Sequence, residues 1–263
     1  MMARGMKMNR RETQKTLALP QFPRSAGYDA EWIVENQMGP CALWLCEFLM
    51  EKMELKPGMR VLDMGCGKGL TSVFLAKECG VTVFANDLWI QPTENYKRFQ
   101  EAGLADKIIP IHAEARQLPY AAGFFDAIVS IDSYEYYGTD ALYLDYISRF
   151  LKQEGQIGIV VPALQKEFGE GGAPAHILRH WDWSMASFHS PAWWARLWRL
   201  SKHIDVEASD LLPNGFDMWL HWEKAMSALK GGEGNESLAL LEADKGEYFS
   251  FARIVGRKGL ERW

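Results

Sequence analysis

The chain has 263 residues, a net charge of −5 and a hydrophobic content of 48%, which fits one α/β domain with additions. A net negative charge does not favour binding to nucleic acid, and no apolar stretch is long enough to span a bilayer. The four cysteines show neither metal-ligand spacing nor the framework of a secreted protein. We therefore expect reduced thiols in a cytoplasmic protein without a nucleic-acid partner or a membrane span.

The first 55 residues divide into two segments of different character. Residues 1–25 are basic and show little core-forming pattern, which predicts a disordered tail. Residues 28–55 show a helical pattern that breaks at Gly39 and Pro40. This pattern predicts helices on both sides of the break.

A glycine run follows at residues 61–69, where Val-Leu-Asp-Met leads into Gly-Cys-Gly-Lys-Gly. It predicts a strand that turns through glycines into a helix beginning at Leu70, with free backbone N–H groups at the helix N-terminus. Leu70 stands where the dinucleotide fingerprint has its third glycine, and Lys68 is followed by Gly69 rather than by Ser or Thr. The run therefore predicts a site for a nucleoside-bearing cofactor, with a tight turn that binds no ligand as the alternative.

A second strand, at residues 81–85, ends at Asn86 and Asp87. A carboxylate at this position can accept two hydrogen bonds from a ribose diol, or it can simply cap the following turn. Further strands at residues 107–112, 125–131 and 156–161 alternate with helical segments. This order predicts a mostly parallel α/β sheet with its ligands at the carboxyl ends of the strands.

Four motifs in this order resemble those of the class I S-adenosylmethionine-dependent methyltransferases, over residues 56–164. The hydrophobic-Asp-x-Gly-x-Gly-x-Gly motif corresponds to residues 61–69, and the ribose-binding acid corresponds to Asp87. The Asp-Ala-x-x-Leu-Pro segment that holds the adenine corresponds to residues 114–119, with Glu114 in place of the commoner Asp, and the fourth strand corresponds to residues 125–130.

This resemblance implies a doubly wound, mostly parallel seven-stranded sheet of the Rossmann-like methyltransferase fold, with N-terminal helices and an inserted aromatic-rich helical cap. It also implies S-adenosyl-L-methionine as the cofactor, with no metal ion. The residues that it assigns to cofactor binding are Asp63, Gly65, Cys66, Gly67, Asp87, Leu88, Glu114, Ala115 and Ile131.

The expected domain organisation follows from the same resemblance. After the tail at residues 1–25, residues 26–55 form a helical lid, for which Tyr28, Trp32 and Met38 are candidates. Residues 56–263 form the methyltransferase domain, with cap insertions near residues 165–200 and 213–245. The many tryptophans of the cap indicate either a well-packed core or an aromatic substrate pocket.

The segment after the fourth strand carries the information on the methyl acceptor. Residues 130–134 are similar to a segment of glycine/sarcosine and phosphoethanolamine N-methyltransferases, in which an Asp, here Asp132, faces the amine. Residues 130–138 also resemble a run of the cyclopropane fatty acid synthases, in which Glu135 matches an active-site Glu and Tyr136 replaces a His. Either acid could instead cap the next helix.

The sequence thus favours an enzyme that methylates a small-molecule acceptor at an amine nitrogen. Asp132, Tyr134 and Glu135 would orient or deprotonate the acceptor. Lipid alkylation of the cyclopropane-synthase type and a non-catalytic S-adenosylmethionine-binding protein are the alternatives. The oligomeric state is left open.

Overall fold

The computed structural model describes residues 9–232 and 234–259. Its centre is a seven-stranded sheet in the order β3-β2-β1-β4-β5-β7-β6, in which β7 alone runs antiparallel to its neighbours. The strands are β1 (Arg60–Met64), β2 (Thr82–Asp87), β3 (Ile108–His112), β4 (Phe125–Ile131), β5 (Leu151–Leu164), β6 (Ile204–Leu211) and β7 (Phe249–Lys258). The expected seven-stranded, mostly parallel α/β sheet is confirmed.

Helices and short 3₁₀ turns connect the strands. The helices are α1 (Arg10–Leu17), α2 (Ala30–Asn36), α3 (Ala42–Met50), α4 (Leu70–Cys79), α5 (Pro92–Glu101), α6 (Tyr143–Ser148), α7 (Ala175–Leu178), α8 (Pro191–Trp198), α9 (Gly215–Leu229) and α10 (Glu236–Asp244). The 3₁₀ turns are Ser25–Gly27, Tyr134–Tyr136 and Trp183–Ser187. Of the helices described here, none is long and apolar enough to cross a membrane.

The position of the site follows from strand register. β1 pairs in parallel with β2 and β4, so that Val61 lies opposite Val83 on one side and Ala127 on the other. The carboxyl ends of these strands therefore meet at one edge of the sheet. The strand order also reverses between β1 and β4, and ligands of open α/β sheets bind in the crevice at such a reversal.

The core lies in two layers, one on each face of the sheet. Alternate residues of a strand point to opposite faces, and Val61 and Leu62 accordingly belong to different buried clusters. One layer packs under α3, α4 and α9, and its members include Leu45 and Phe74. The other lies under α6 and α8 and contains the fully buried Trp198.

The expected disordered tail is wrong for residues 9–25. Asn9 and Glu12 form a capping box at the start of α1, in which each side chain bonds the other residue's backbone N–H. Leu17 is buried, and its carbonyl accepts a hydrogen bond from the Trp44 indole at 3.2 Å. These long-range contacts, which periodicity within the segment does not reveal, hold it in place. Residues 1–8 lie outside the described part of the chain.

The strand expected at residues 156–161 is longer in the structure, because β5 begins at Leu151, before its apolar run. Leu151 already pairs with Phe125, and the register then shifts so that Ala127 faces Gln156. Glu154, with φ at +63°, lies in this irregularity. Because of this bulge, the apolar pattern predicts only the later part of the strand.

Candidate functional site

An open-sided cavity of about 200 Å³ lies at the carboxyl edge of β1, β2 and β4. Its walls come from the glycine loop after β1, the ends of β2 and β3, the segment after β4 and the residue that precedes the Gly39–Pro40 break. The lining residues are Met38, Met64, Gly65, Gly67, Asn86, Asp87, Leu88, Trp89, Ala113, Glu114, Ala115, Arg116, Asp132, Ser133, Tyr136 and Tyr137. A smaller cavity of about 50 Å³ adjoins it.

The loop between β1 and α4 needs its glycines for conformation and for close approach. Gly65, Gly67 and Gly69 have φ values of +71°, +55° and +85°, a region that other residues rarely adopt. A Cβ on Gly65 would overlap the Ser133 hydroxyl, and one on Gly69 would overlap the ring of Phe99. The loop therefore packs tightly against the segment after β4 and against α5.

Asp87 fastens the end of β2 to the glycine loop. Its Oδ2 accepts a hydrogen bond from the Gly67 N–H at 2.8 Å. Its Oδ1 accepts from the N–H groups of Trp89 and Ile90 at 2.7 and 2.9 Å. The carboxylate caps its turn and also lines the cavity, and Oδ2, which accepts one bond where Oδ1 accepts two, has a second lone-pair direction for a ligand hydroxyl.

Asp63 lies under the glycine loop and lines neither cavity. Its Oδ2 accepts hydrogen bonds from the hydroxyls of Thr71 and Ser72, both at 2.6 Å, at the start of α4. Its Oδ1 is buried without a partner in the described part of the chain. Burial raises the pKa of this carboxyl to about 6. An unpaired buried oxygen costs free energy, and this oxygen can still accept one more hydrogen bond.

Glu114 and Ala115, which lie just beyond β3, have different surroundings. Glu114 Oε2 accepts from the Arg116 N–H at 2.7 Å, and its Oε1 pairs with Arg116 Nη1 at 3.1 Å. Ala115 is buried and lines the cavity. The Glu114 carboxylate thus has a partner of its own beside the cavity.

Asp132 directly follows β4 and faces both cavities. It adopts a left-handed conformation with φ at +51°, and its N–H donates to the Val160 carbonyl at 2.8 Å. Its carboxylate lies against Gly39, where any Cβ would overlap it. Burial, followed by the nearby charge of Glu223, raises the pKa of Asp132 to about 8. Strained backbone of this kind occurs at functional sites.

Tyr134 and Glu135, which follow Ser133, are both buried but have different surroundings. Neither carboxylate oxygen of Glu135 has a hydrogen-bond partner among the described residues. Burial and the charge of Asp132 hold the pKa of Glu135 well above its usual value. Tyr134 instead packs its ring against Trp194 and Trp198, with centroids 5.8 and 5.9 Å apart. Tyr134 therefore belongs to the core and does not line either cavity.

Comparisons with known proteins identify the family. A family model described as a methyltransferase domain matches residues 61–155, and one for protein-L-isoaspartate (D-aspartate) O-methyltransferase matches residues 6–103. The uncharacterized methyltransferase YodH of Bacillus subtilis is 30% identical over 181 residues, which are 68% of this chain and 74% of that protein. The chain belongs to the class I S-adenosylmethionine-dependent methyltransferases. As an enzyme of this family, it uses S-adenosylmethionine as its methyl donor.

Other similar proteins differ in what their names say they methylate. Methyltransferase GfsG of Streptomyces halstedii is 31% identical over 44% of this chain and 42% of that protein. Sarcosine/dimethylglycine N-methyltransferase of Aphanothece halophytica is 31% identical over 43% and 42%. This methyltransferase thus matches less than half the length of either relative.

Several solved structures match nearly the whole chain. One of them is geranyl diphosphate C-methyltransferase from Streptomyces coelicolor A3(2), in complex with Mg²⁺, geranyl diphosphate and S-adenosyl-L-homocysteine. It superposes with a TM-score of 0.67 at 19% identity, over 98% of this chain and 91% of that one. At that identity the match shows the shared fold of this methyltransferase and no more.

The cavity of this methyltransferase brings together most of the residues that the sequence assigned to it. Asp132 lines it together with six of the nine predicted cofactor residues, namely Gly65, Gly67, Asp87, Leu88, Glu114 and Ala115. Cys66 and Ile131 line the smaller cavity, whereas Asp63, Tyr134 and Glu135 line neither. The roles of all these residues remain predictions.

The N-terminal helices of this methyltransferase reach the site where α2 joins α3. Met38 lines both cavities, and the Lys68 ammonium donates to the Glu35 carbonyl at 3.0 Å, which joins the end of α2 to the glycine loop. Tyr28 and Trp32 stack on each other and line a separate surface cavity. Of the three lid candidates, only Met38 stands at the site.

Sequence reasoning missed several lining residues. Trp89 stands two residues beyond Asp87, and Asn86 stands one residue before it. Their proximity to the end of a strand was the available signal. Trp183 was recognised only as part of a tryptophan-rich segment, yet its ring lies 5.9 Å from that of Tyr136. No local pattern indicates a contact between residues so far apart in sequence.

Proposed function

We propose that this methyltransferase transfers a methyl group to the nitrogen of a small-molecule amine. The observation that carries the proposal is the acidic wall of the cavity. The Asp132 carboxylate faces the cavity, and three residues later lies the buried Glu135, whose carboxylate has no hydrogen-bond partner among the described residues and is affected by the charge of Asp132. An ammonium group is the natural partner of such a pair. The similarity to sarcosine/dimethylglycine N-methyltransferase supports the same acceptor class.

The cavity's residues fit S-adenosylmethionine. Gly65 and Gly67 line the cavity with bare backbone, and a Cβ on either would press on Ser133 or Met38 at the cavity wall. In our proposal Asp87 accepts hydrogen bonds from the ribose, and Glu114 with the Ala115 N–H holds the adenine. Asp63, which lines neither cavity, contributes from below the glycine loop by accepting hydrogen bonds from the hydroxyls of Thr71 and Ser72 at the start of α4. Apolar and backbone contacts then come from Cys66, Leu88 and Ile131.

When bound, the cofactor supplies an electrophilic methyl carbon on a sulfonium. This chemistry would give the methyl group to the acceptor nitrogen, and S-adenosylhomocysteine would leave with the electron pair of the former carbon–sulfur bond. The nitrogen needs a free lone pair, so an ammonium acceptor must first lose a proton. An approaching ammonium favours the ionised form of Asp132, which then accepts that proton.

The remaining contribution of the chain is positioning. Holding the nitrogen in line with the breaking bond removes much of the entropic barrier. The strained backbone at Asp132 and its contact with Gly39 fix the carboxylate on the cavity wall. Tyr134, which the sequence suggested as a third acceptor-binding residue, acts in this proposal through packing, because its ring lies within the aromatic core.

We also propose that two additional segments complete the site. Residues 26–55 serve as a lid through Met38, which lines both cavities. The insertion near residues 165–200 brings Trp183 to the ring of Tyr136. The insertion near residues 213–245 brings the charge of Glu223 close to Asp132.

The test is the formation of S-adenosylhomocysteine with a panel of small amines. Asp132→Asn should lower kcat by roughly 10²–10⁴-fold, the usual contribution of a general base, and leave cofactor affinity unchanged. Asp106→Asn, at an exposed turn, is the matched control and should behave as wild type. If the enzyme methylates an oxygen or carbon acceptor and no amine, the proposal is wrong.

Lipid alkylation of the cyclopropane-synthase type is the second candidate. One observation favours it: the indoles of Trp89 and Trp183 are 71% and 74% exposed near the cavity mouth. Exposed tryptophans suit a membrane interface. Phospholipid vesicles with unsaturated chains, supplied as the acceptor, distinguish the two candidates directly.

A further inference from the structure

Three aromatic side chains form a continuous row at the mouth of the cavity, which we call the aromatic rim. The ring of Tyr136 lies 6.3 Å from that of Trp89 and 5.9 Å from that of Trp183. Trp89 and Tyr136 also line the cavity. These side chains are 71%, 41% and 74% exposed in the order Trp89, Tyr136, Trp183. Adjacent exposed aromatics of this size beside a pocket are a mark of a binding surface.

Carboxyl groups lie around the centre of this rim, and an approaching cation favours their ionised form. Burial first, and then the charges of Glu135, Asp132 and Asp182, raise the pKa of the Tyr136 hydroxyl above its usual value. Asp182 is fixed in turn by its bonds to the N–H and hydroxyl of Ser184. A cation is therefore attracted both by the carboxylates and by the faces of the rings.

Free positive charge is scarce at the cavity. Among the described residues that line the larger cavity, Arg116 is the only basic one, and its guanidinium is paired with Glu114 at 3.1 Å. Lys68 lines the smaller cavity, where its ammonium donates to the Glu35 carbonyl. A carboxylate or phosphate on the acceptor would therefore meet carboxylates at the wall and no unpaired guanidinium.

From these observations we propose that the acceptor is an amine with an apolar, preferably aromatic, body and no anionic group. The amine nitrogen lies at Asp132, and the apolar body lies against the aromatic rim. The inference rests on the proposed amine methylation and narrows its substrate class. It excludes acceptors such as sarcosine or phosphoethanolamine, which carry an anionic group in addition to the amine.

The experiment compares phenethylamine, sarcosine and phosphoethanolamine as acceptors for the full chain. We expect turnover of phenethylamine at a kcat/KM at least tenfold above the other two. Trp183→Ala should then raise KM for phenethylamine by roughly two- to thirteenfold, the range for one aromatic–aromatic contact, and leave kcat and cofactor affinity nearly unchanged. Trp181→Ala is the matched control, because Trp181 lies in the same segment and packs on Phe168 instead of the rim.

The outcomes separate this inference from the proposed function. If sarcosine or phosphoethanolamine is the better acceptor, or if Trp183→Ala has no more effect than Trp181→Ala, the inference is wrong and amine methylation stands. If all amines are inert and unsaturated phospholipid vesicles are alkylated, the proposed function itself is wrong. If Trp183→Ala weakens vesicle binding without changing KM for phenethylamine, the rim faces a membrane and the inference is again overturned.

Discussion

Replacing Asp132 with Asn should stabilise the cofactor-free protein in a pH-dependent way. The carboxyl has a pKa of about 8 in the folded chain, whereas in an unfolded chain it has a pKa near 4. Between these values the folded state binds more protons, so stability falls as the pH rises, by about 1.4 kcal/mol per pH unit. The stability that protonation confers is therefore fully present below pH ~4 and is lost as the pH passes through ~8.

The raised pKa of Asp132 lowers the wild-type free energy of unfolding at pH 7 by at most about 4 kcal/mol relative to pH 4. Water in the adjoining cavity screens the charge and lowers that figure. Asn does not titrate, so Asp132→Asn should gain up to a few kcal/mol at pH 7–8 and almost nothing near pH 4. Urea unfolding of the wild type, Asp132→Asn and the exposed control Asp106→Asn at several pH values measures the gain.

Glu135 also makes the wild-type free energy of unfolding fall as the pH rises, because its pKa is raised by burial and by Asp132. The diagnostic quantity is therefore the difference in slope between the wild type and Asp132→Asn from pH 5 to 8. If the free energy of unfolding depends on pH in the same way in these two proteins, the view that Asp132 is a desolvated carboxyl held in place for function is refuted.

Three further changes test other parts of the site and the core. Asp87→Ala should weaken S-adenosylmethionine binding by about 1.5–3 kcal/mol, the range for hydrogen bonds to a charged group; unchanged calorimetric affinity would mean that the ribose lies elsewhere. Gly65→Ala places a Cβ on the Ser133 hydroxyl at positive φ, so the cofactor affinity should fall at least tenfold; wild-type affinity would show that the loop tolerates a side chain. Trp198→Ala removes a fully buried indole and should lower the free energy of unfolding by about 3–5 kcal/mol; a loss below 1 kcal/mol in urea unfolding would contradict the packing described for the second core layer.

The sequence predicted the central part of the fold because strong local signals coincide there. The β4 prediction at residues 125–131 agrees with the structure, since a run of apolar, β-branched residues is bounded by turns. The glycine run and Asp87 come together because parallel strands in register end at one edge. Motifs that follow one another along the chain therefore line the same cavity.

The errors arise where tertiary contacts decide the structure. α1 buries only Thr13 and Leu17, so its periodicity is too weak to predict a helix. Tyr134 was assigned to the site by its neighbours in sequence, but a 3₁₀ turn directs adjacent side chains in different directions. The contact between Trp183 and Tyr136 depends on how the inserted segment folds back, which no local pattern specifies.

The hydrogen bond from the His221 ring on α9 to the Thr16 carbonyl has a consequence for biosynthesis. The two residues are 205 positions apart. At roughly 5–20 residues per second, the ribosome needs about 10–40 s to produce the partner of the first described helix. During that interval Leu17 and Phe22, which are buried in the finished protein, have no completed surface to pack against. The contact of residues 9–25 with α9 therefore forms only after most of the central sheet has been synthesised.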